Sequence, residues 1–415
     1  MSTWRKDRPL KLPRAEHYFL FDRIAAGGMA AVHLGLLRGA LGFSRVVAIK
    51  RLHATLAQDA RRVAMMVDEA RVAALVRHVN VVPTLDVIAS GGEVFVVMEY
   101  VRGAALSSLA THEREQGRLL PADILVAVLR GALRGLHAAH EATTFEGEPL
   151  GIVHRDVSPQ NILVGVAGIP RIIDFGVARA AGSLDNTRDG EFKGKLAYAS
   201  PEQLSGEPVT RRSDVFAMGV VLWEILTGQR LFAGETDLDT YRNVLMAHIR
   251  HPLEVFDQGD EAGERMRLHR SRAEVERLGG VAMRALAREP DARFPTAEAM
   301  EDALGKEAAS PAQVGARVRE CAADRLAFEH SVVSSVLDRA AELEASDATP
   351  AAFASGEVEE EHSPTRLLSP KAPPRDQHAT ESAPFGIPLR PMIILVPAVL
   401  AAAFAGSFLG RIFQR

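Results

Sequence analysis

A chain of 415 residues with 47% hydrophobic and 25% charged side chains carries enough apolar material to bury a full two-lobed domain. Its formal charge of −4 leaves no footprint for nucleic acid. A lone cysteine, Cys321, excludes an intramolecular disulfide and suits a reducing compartment. Residues 1–16 read as a tail: the stretch from Met1 to Arg14 is charged and has no apolar core, so it is not a secretory signal.

A folded domain is expected over residues 17–304. It opens with Ile24-Ala25-Ala26-Gly27-Gly28-Met29-Ala30-Ala31-Val32, a Gly-Gly pair between two apolar strands. Glycine lets backbone N–H groups approach a phosphate closely and permits positive φ. Alanine adds a Cβ and costs about 1 kcal/mol where the backbone demands that freedom. Val47-Ala48-Ile49-Lys50 reads as a buried strand ending in a lysine, and Glu69 sits in a helical run from Met65 to Ala73. Val94 to Val101 is an apolar strand that runs into a connecting segment. Ile124 to His140 is expected to form a core-packed helix, because Leu125, Val128, Leu129, Leu133 and Leu136 recur at helical spacing. His137 and His140 lie one turn apart on it. No third ligand follows at zinc-like spacing, so they read as ordinary helix histidines.

His154-Arg155-Asp156 follows, with Asn161 five residues after the aspartate and Asp174-Phe175-Gly176 downstream. Phosphoryl transfer from a nucleotide needs little covalent chemistry from a protein. It needs an oxygen to orient the attacking hydroxyl, oxygen ligands for magnesium, and fixed positive charge near the phosphates. Asp156, Asn161 and Asp174 supply the first two, at a spacing similar to that of the eukaryotic-type protein kinase catalytic loop. With these motifs the chain resembles the bacterial eukaryotic-type (Hanks-type) Ser/Thr protein kinases, in their membrane-anchored form. The resemblance implies an α+β fold of two lobes, the N-lobe small and β-rich, the C-lobe larger and helical. It also implies transfer of the γ-phosphate of ATP to protein Ser/Thr hydroxyls in signalling, with Mg2+ or Mn2+ as the metal.

The resemblance assigns roles as well. Lys50 reaches the α- and β-phosphates and Glu69 pairs with it; Asp156 orients the acceptor hydroxyl; Asn161 and Asp174 hold the metal. Ile24, Ala25, Ala26, Gly27, Gly28, Met29 and Val32 cover the nucleotide, and Ala48 and Leu163 line its site. The backbone of Glu99 and Val101 pairs with adenine, and Met98 guards the back pocket. His154 packs beneath Phe175, Glu202 pairs with Arg293, and Asp214 accepts hydrogen bonds from the catalytic-loop backbone. Ser213 to Glu224 forms the central helix of the C-lobe. The activation segment spans Asp174 to Glu202; Ser183 and Thr187 are its candidate phosphoacceptors, and Arg155 is a cation for their phosphates. Three departures stand out. Ala25 and Ala30 replace glycines, Ser158 replaces a lysine in the catalytic loop, and Lys195 replaces a threonine in the run Gly194 to Glu202. The expected reading is that the positive charge has moved from position 158 to Lys195. The same departures keep open a second reading, a pseudokinase scaffold that binds nucleotide or partners and transfers little.

Residues 305–346 are expected to be helical, with Val314, Val318, Cys321, Leu326, Phe328, Val332, Val336 and Leu337 at helical spacing, packing on the C-lobe or on a partner. Residues 347–390, rich in Pro, Ser, Ala and acidic residues, read as a disordered linker. Residues 391–410 are uncharged between Arg390 and Arg411. At ~1.5 Å per residue they span ~30 Å, the hydrocarbon thickness of a bilayer. A single-pass tail anchor in the cell inner membrane is expected, with residues 411–415 as its end and the kinase domain cytoplasmic. Ala402, Gly406 and Gly410 repeat every four residues, so a homodimer is expected through this helix or through the kinase domain.

Overall fold

The computed structural model describes residues 10–11, 17–26, 30–39, 43–52, 60–90, 93–175 and 196–347. The small lobe contains β1 (Leu10–Lys11), β2 (Tyr18–Ala26), β3 (Ala30–Arg38), β4 (Ser44–Leu52), helix α1 (Ala60–Leu75), β5 (Thr84–Ser90) and β6 (Glu93–Glu99). Its strands form one antiparallel sheet in the order β1-β2-β3-β4-β6-β5. The period of two along a strand decides what each face does. Val47 and Ile49 join Phe95, Val97, Leu20 and Ile88 in a buried cluster on one face. Ala48 and Lys50, between and beyond them, therefore face the other way, into the cleft between the lobes. Helix α1 covers part of that cleft face, its Met66 and Ala70 packing on Leu52, Val94 and Val96. Glu69 lies three residues after Met66, on the same side of the helix, so this packing aims it at the sheet.

The large lobe holds β7 (Gly103–Ala105), α2 (Leu106–Glu115), α3 (Ala122–His140), β8 (Ile162–Gly165), β9 (Pro170–Ile172), α4 (Pro201–Ser205) and α5 (Arg211–Thr227). It continues through α6 (Asp237–Met246), α7 (Pro252–Asp257), α8 (Glu261–His269), α9 (Arg272–Ala285) and α10 (Ala297–Ala303). Helix α5 is buried on all sides from Ser213 to Thr227, as a helix that is apolar all round must be. Thr210 and Ser213 close a capping box at its start, and Gly228, at φ 72°, ends it. Glu202 and Arg293 pair bidentately at 2.7 and 2.8 Å in the core, with Ser213 Oγ donating to the same carboxylate at 2.7 Å.

Two further helices, α11 (Pro311–Cys321) and α12 (Ala323–Asp347), follow. Helix α11 docks on the large lobe through the buried carboxylate of Glu113. That carboxylate accepts Arg118 Nε at 2.8 Å, Arg317 at 3.2 Å and the Cys321 thiol at 3.1 Å. Burial, with the hydrogen bond to Glu113, pushes the Cys321 thiol up to about 12, so the lone cysteine is an anchor rather than a nucleophile. Helix α11 also lies against the β8–β9 turn, where a Cβ on Gly168 would sit 1.8 Å from the Pro311 carbonyl oxygen. No helix among the described residues is long and apolar enough to cross a membrane. The expected linker and the span at 391–410 lie outside the described residues.

Candidate active site

The loop from His154 to Asn161 is held from below by one buried carboxylate. Asp214, on α5, accepts the backbone N–H of His154 and of Arg155, each at 2.8 Å, and His140 Nε2 from the end of α3, also at 2.8 Å. These bonds hold Arg155 at φ 64°, a left-handed conformation that costs a non-glycine residue about 1–3 kcal/mol. Burial alone would raise the Asp214 pKa. The hydrogen bonds from His140 and from the His154 N–H outweigh it and hold the carboxyl below its ordinary value.

His154 is fully buried and fastens this loop to the next segment. Its Nε2 donates to the Ile173 carbonyl at 2.9 Å, while Nδ1 accepts the N–H of Asp156 at 3.2 Å. Burial is the strongest influence on the ring and holds its pKa below the ordinary histidine value, despite the nearby Asp214. The ring therefore stays neutral and serves as a fastener rather than a base. It lies 4.9 Å from the ring of Phe175, the packing expected from the sequence. Asn161 ends a short 3-10 turn from Pro159, and its Nδ2 donates to the Asp156 carbonyl at 2.7 Å and to Asp156 Oδ2 at 3.0 Å. The Asp156 carboxylate is thereby aimed. Ser158 is fully buried, and its hydroxyl finds no hydrogen-bond partner among the described residues.

Across the cleft, Lys50 Nζ lies 3.0 Å from Glu69 Oε1 and 2.9 Å from Asp174 Oδ1. Asp174, at φ 58°, is the second non-glycine residue held left-handed. Burial would lower the Lys50 pKa, but the charges of Asp174 and then Glu69 overcome it and hold the ammonium above its ordinary value. Burial, outweighing the Lys50 charge, holds the Glu69 pKa above its ordinary value. Asn161 and Asp174 would offer two oxygen ligands, and no cluster of three or more His, Cys, Asp or Glu suited to a metal occurs among the described residues. Two oxygens fit magnesium, which keeps several waters and takes its other ligands from substrate phosphates. They do not fit zinc.

The surroundings suit a nucleotide. Val32 on β3 lies opposite Lys50, and Leu34 opposite Ala48, so these side chains share the cleft face. Met98 borders a narrow cavity with Lys50, Glu69 and Phe175. The Glu99 N–H donates to the Pro83 carbonyl at 3.0 Å, which takes it from any purine; its carboxylate meets Arg171 at 2.6 Å and Arg45 at 3.3 Å, linking the lobes. Leu163 is half-buried on β8, opposite Ala105 and Arg171. Ala25 is exposed opposite Val32. Ile24 packs on a cluster that includes Val332 and Val336 of α12. Ala26 ends β2. Gly27, Gly28, Met29, Gly176, Ser183, Thr187 and Lys195 lie outside the described residues. Two contributors carry no local signal: His140, bonded to a residue 74 positions away, and Glu329 of α12, which accepts the Tyr100 hydroxyl beside Glu99.

Residues 21–303 match the family model for the protein kinase domain. The tyrosine-protein kinase MasK of Myxococcus xanthus is 39% identical over 287 residues, covering 69% of this chain and 42% of that protein. The serine/threonine-protein kinase PknB of Mycobacterium leprae is 32% identical over 291 residues, with coverages of 69% and 42%. PknL of Mycobacterium bovis, another serine/threonine-protein kinase, is 36% identical over 240 residues, with coverages of 58% and 56%. The chain thus spans about half the length of the curated relatives it matches. The solved kinase domain of PknI from Mycobacterium tuberculosis aligns with a TM-score of 0.51 at 21% identity, over 73% of this chain and 100% of that one, a likeness of fold.

Asp214→Asn puts an amide N–H2 among donors and is expected to cost about 1–3 kcal/mol in urea unfolding. Because the folded carboxyl has the lower pKa, its contribution is full above the unfolded value of about 3.9 and is lost as pH falls through the folded one. The urea midpoint of the parent should therefore fall on acidification more steeply than that of the variant.

Proposed function

The chain belongs to the protein kinase family, and we propose that it is an active serine/threonine kinase transferring the γ-phosphate of Mg-ATP to hydroxyls on protein substrates. The observation that carries this reading is the assembled pair of half-sites: Lys50 bonded to both Glu69 and Asp174, and Asp156 aimed by Asn161. Asn161 and Asp174 would hold magnesium or manganese, which would supply positive charge against the phosphates. Lys50 would hold the α- and β-phosphates by charge. Asp156 would accept the hydrogen bond of the incoming hydroxyl and then its proton as the new ester forms and the bond from the γ-phosphorus to ADP breaks. Adenine would be read by the Glu99 carbonyl and the Val101 backbone. Ala25 and Ala30 in place of glycines would raise the Michaelis constant for ATP without preventing transfer.

The 39% identity to a tyrosine-protein kinase favours a second acceptor, tyrosine, and one experiment separates the two readings. Labelled γ-phosphate transfer by the purified full chain should fall about 10²–10⁴-fold in Asp156→Ala, and phosphoamino-acid analysis should yield phosphoserine and phosphothreonine. Phosphotyrosine alone would make the tyrosine reading correct. No incorporation by a parent that binds Mg-ATP would make the chain a pseudokinase scaffold.

Ser158 is buried and uncharged, so the phosphates lack a cation at that position. We propose that Lys195 supplies it. Lys195→Ala should reduce turnover more than about tenfold with folding intact, about 1.4 kcal/mol of transition-state stabilisation; a variant as fast as the parent would refute the assignment.

We further propose that residues 391–410 anchor the chain in the inner membrane, with the kinase domain on the cytoplasmic side, where ATP is. Their uncharged length supports this. The full chain should sediment with membranes after alkaline carbonate washing, and a chain ending at Arg390 should not; equal release of both would exclude an anchor.

A further inference from the structure

The cleft face of the small-lobe sheet is covered at two ends by two different helices. At one end α1 sets Met66 and Ala70 on Leu52, Val94 and Val96. At the other, Val332 and Val336 of α12 are buried with Phe19, Phe21, Leu34 and Leu36, and Val46 and Ile24 pack against the same group. The strand register identifies the face. Leu36 lies opposite Val46, Leu34 opposite Ala48 and Val32 opposite Lys50, so all six side chains point the same way as Lys50, into the cleft. Between the two helices runs the strip Val32, Ala48 and Lys50, where the nucleotide would sit.

Helix α12 touches more than the small lobe. Leu326, at its start, belongs to the large-lobe core with Val314 and Val318 of α11. One turn on, the buried Glu329 accepts the Tyr100 hydroxyl at 2.8 Å and Arg325 Nε at 2.8 Å. Tyr100 follows Glu99 in the segment that joins the lobes. Burial, and after it the bond to Glu329, holds its hydroxyl well above the ordinary tyrosine value, so it remains the donor. Leu326, Glu329, Val332 and Val336 recur at intervals of three and four, and so share one face of the helix. Over these residues α12 rises ~15 Å, from large-lobe core past the hinge to small-lobe sheet.

We propose that α12 is a positioning element for the kinase reaction: a strut at the hinge edge of the nucleotide cleft that fixes the separation of the lobes, with Glu329 holding the hinge through Tyr100. The inference rests on the kinase reading for the identity of the nucleotide, but the strut itself is read from packing. Its action is on affinity. A released strut lowers the population of the assembled cleft, and apparent affinity falls in proportion.

The test uses the full chain with two substitutions, Val332→Asp, which puts a charge under the sheet, and Glu329→Gln, which weakens the hinge bond and preserves shape. Calorimetry gives the Kd for Mg-ATP, and amide hydrogen exchange reports on residues 99–103 and on α5. If the assembled population drops to about a fifth, Kd weakens about fivefold. Both variants should show that weakening and faster exchange at 99–103, with α5 exchanging at the parent rate. Parent Kd and parent exchange at 99–103 in both variants would overturn the proposal. Should Val332→Asp also lose protection in α5, Glu329→Gln decides alone. A parent chain that binds no Mg-ATP would refute the kinase reading instead; hinge exchange then decides the strut, faster supporting it and unchanged overturning it.

Discussion

One ammonium shared by two carboxylates is the interaction on which the site depends. Lys50 comes from a strand of the small lobe, Glu69 from the helix packed on that strand, and Asp174 from the segment after β9 in the large lobe. Each part of the fold serves this meeting. The alternation along β4 turns Lys50 to the cleft, the apolar side of α1 aims Glu69, and His154 ties the segment bearing Asp174 to the catalytic loop. Loss of Lys50 would leave two carboxylates without their cation in a largely desolvated place, which costs more than the intact group contributes.

The same logic recurs deeper in the large lobe. Asp214, the Glu202–Arg293 pair and Glu113 are buried charges, each with its hydrogen-bonding capacity met by several donors. Such groups add little net stability, because desolvation cancels most of the attraction. They fix geometry instead. Asp214 holds a left-handed Arg155 next to Asp156, Glu202 fixes the start of α4 against Arg293, and Glu113 fixes α11, which in turn backs the hairpin between Asn161 and Asp174.

Much of this was legible in the chain, because the chemistry sits in short runs. His154 to Asn161 and Asp174-Phe175 declare themselves by spacing. Val47 to Lys50 declares itself by an apolar strand with a charged end, and Ser213 to Glu224 by a helix with no polar face. Glu202 with Arg293 was expected from the motifs around each. What escaped has no local signature. His140 serves Asp214 across 74 positions, and Glu329 reaches Tyr100 across 229. The spacing of Val332 and Val336 points to a helix face packed on the large lobe or a partner; in the structure these two residues lie instead on the small-lobe sheet, which also takes up Ile24. Ser158 stands where a cation is expected; its burial, with a hydroxyl unpartnered among the described residues, depends on a three-dimensional surround that no tripeptide encodes.

The central claim is that Lys50, Asp174 and Asn161 form a site for a metal-bound nucleotide, and calorimetry of ATP with and without magnesium tests it most directly. The full chain should bind ATP more tightly with magnesium by about tenfold or more, about 1.4 kcal/mol, and Asp174→Ala should abolish that difference. Equal affinity with and without the metal, in parent and variant alike, would contradict the account.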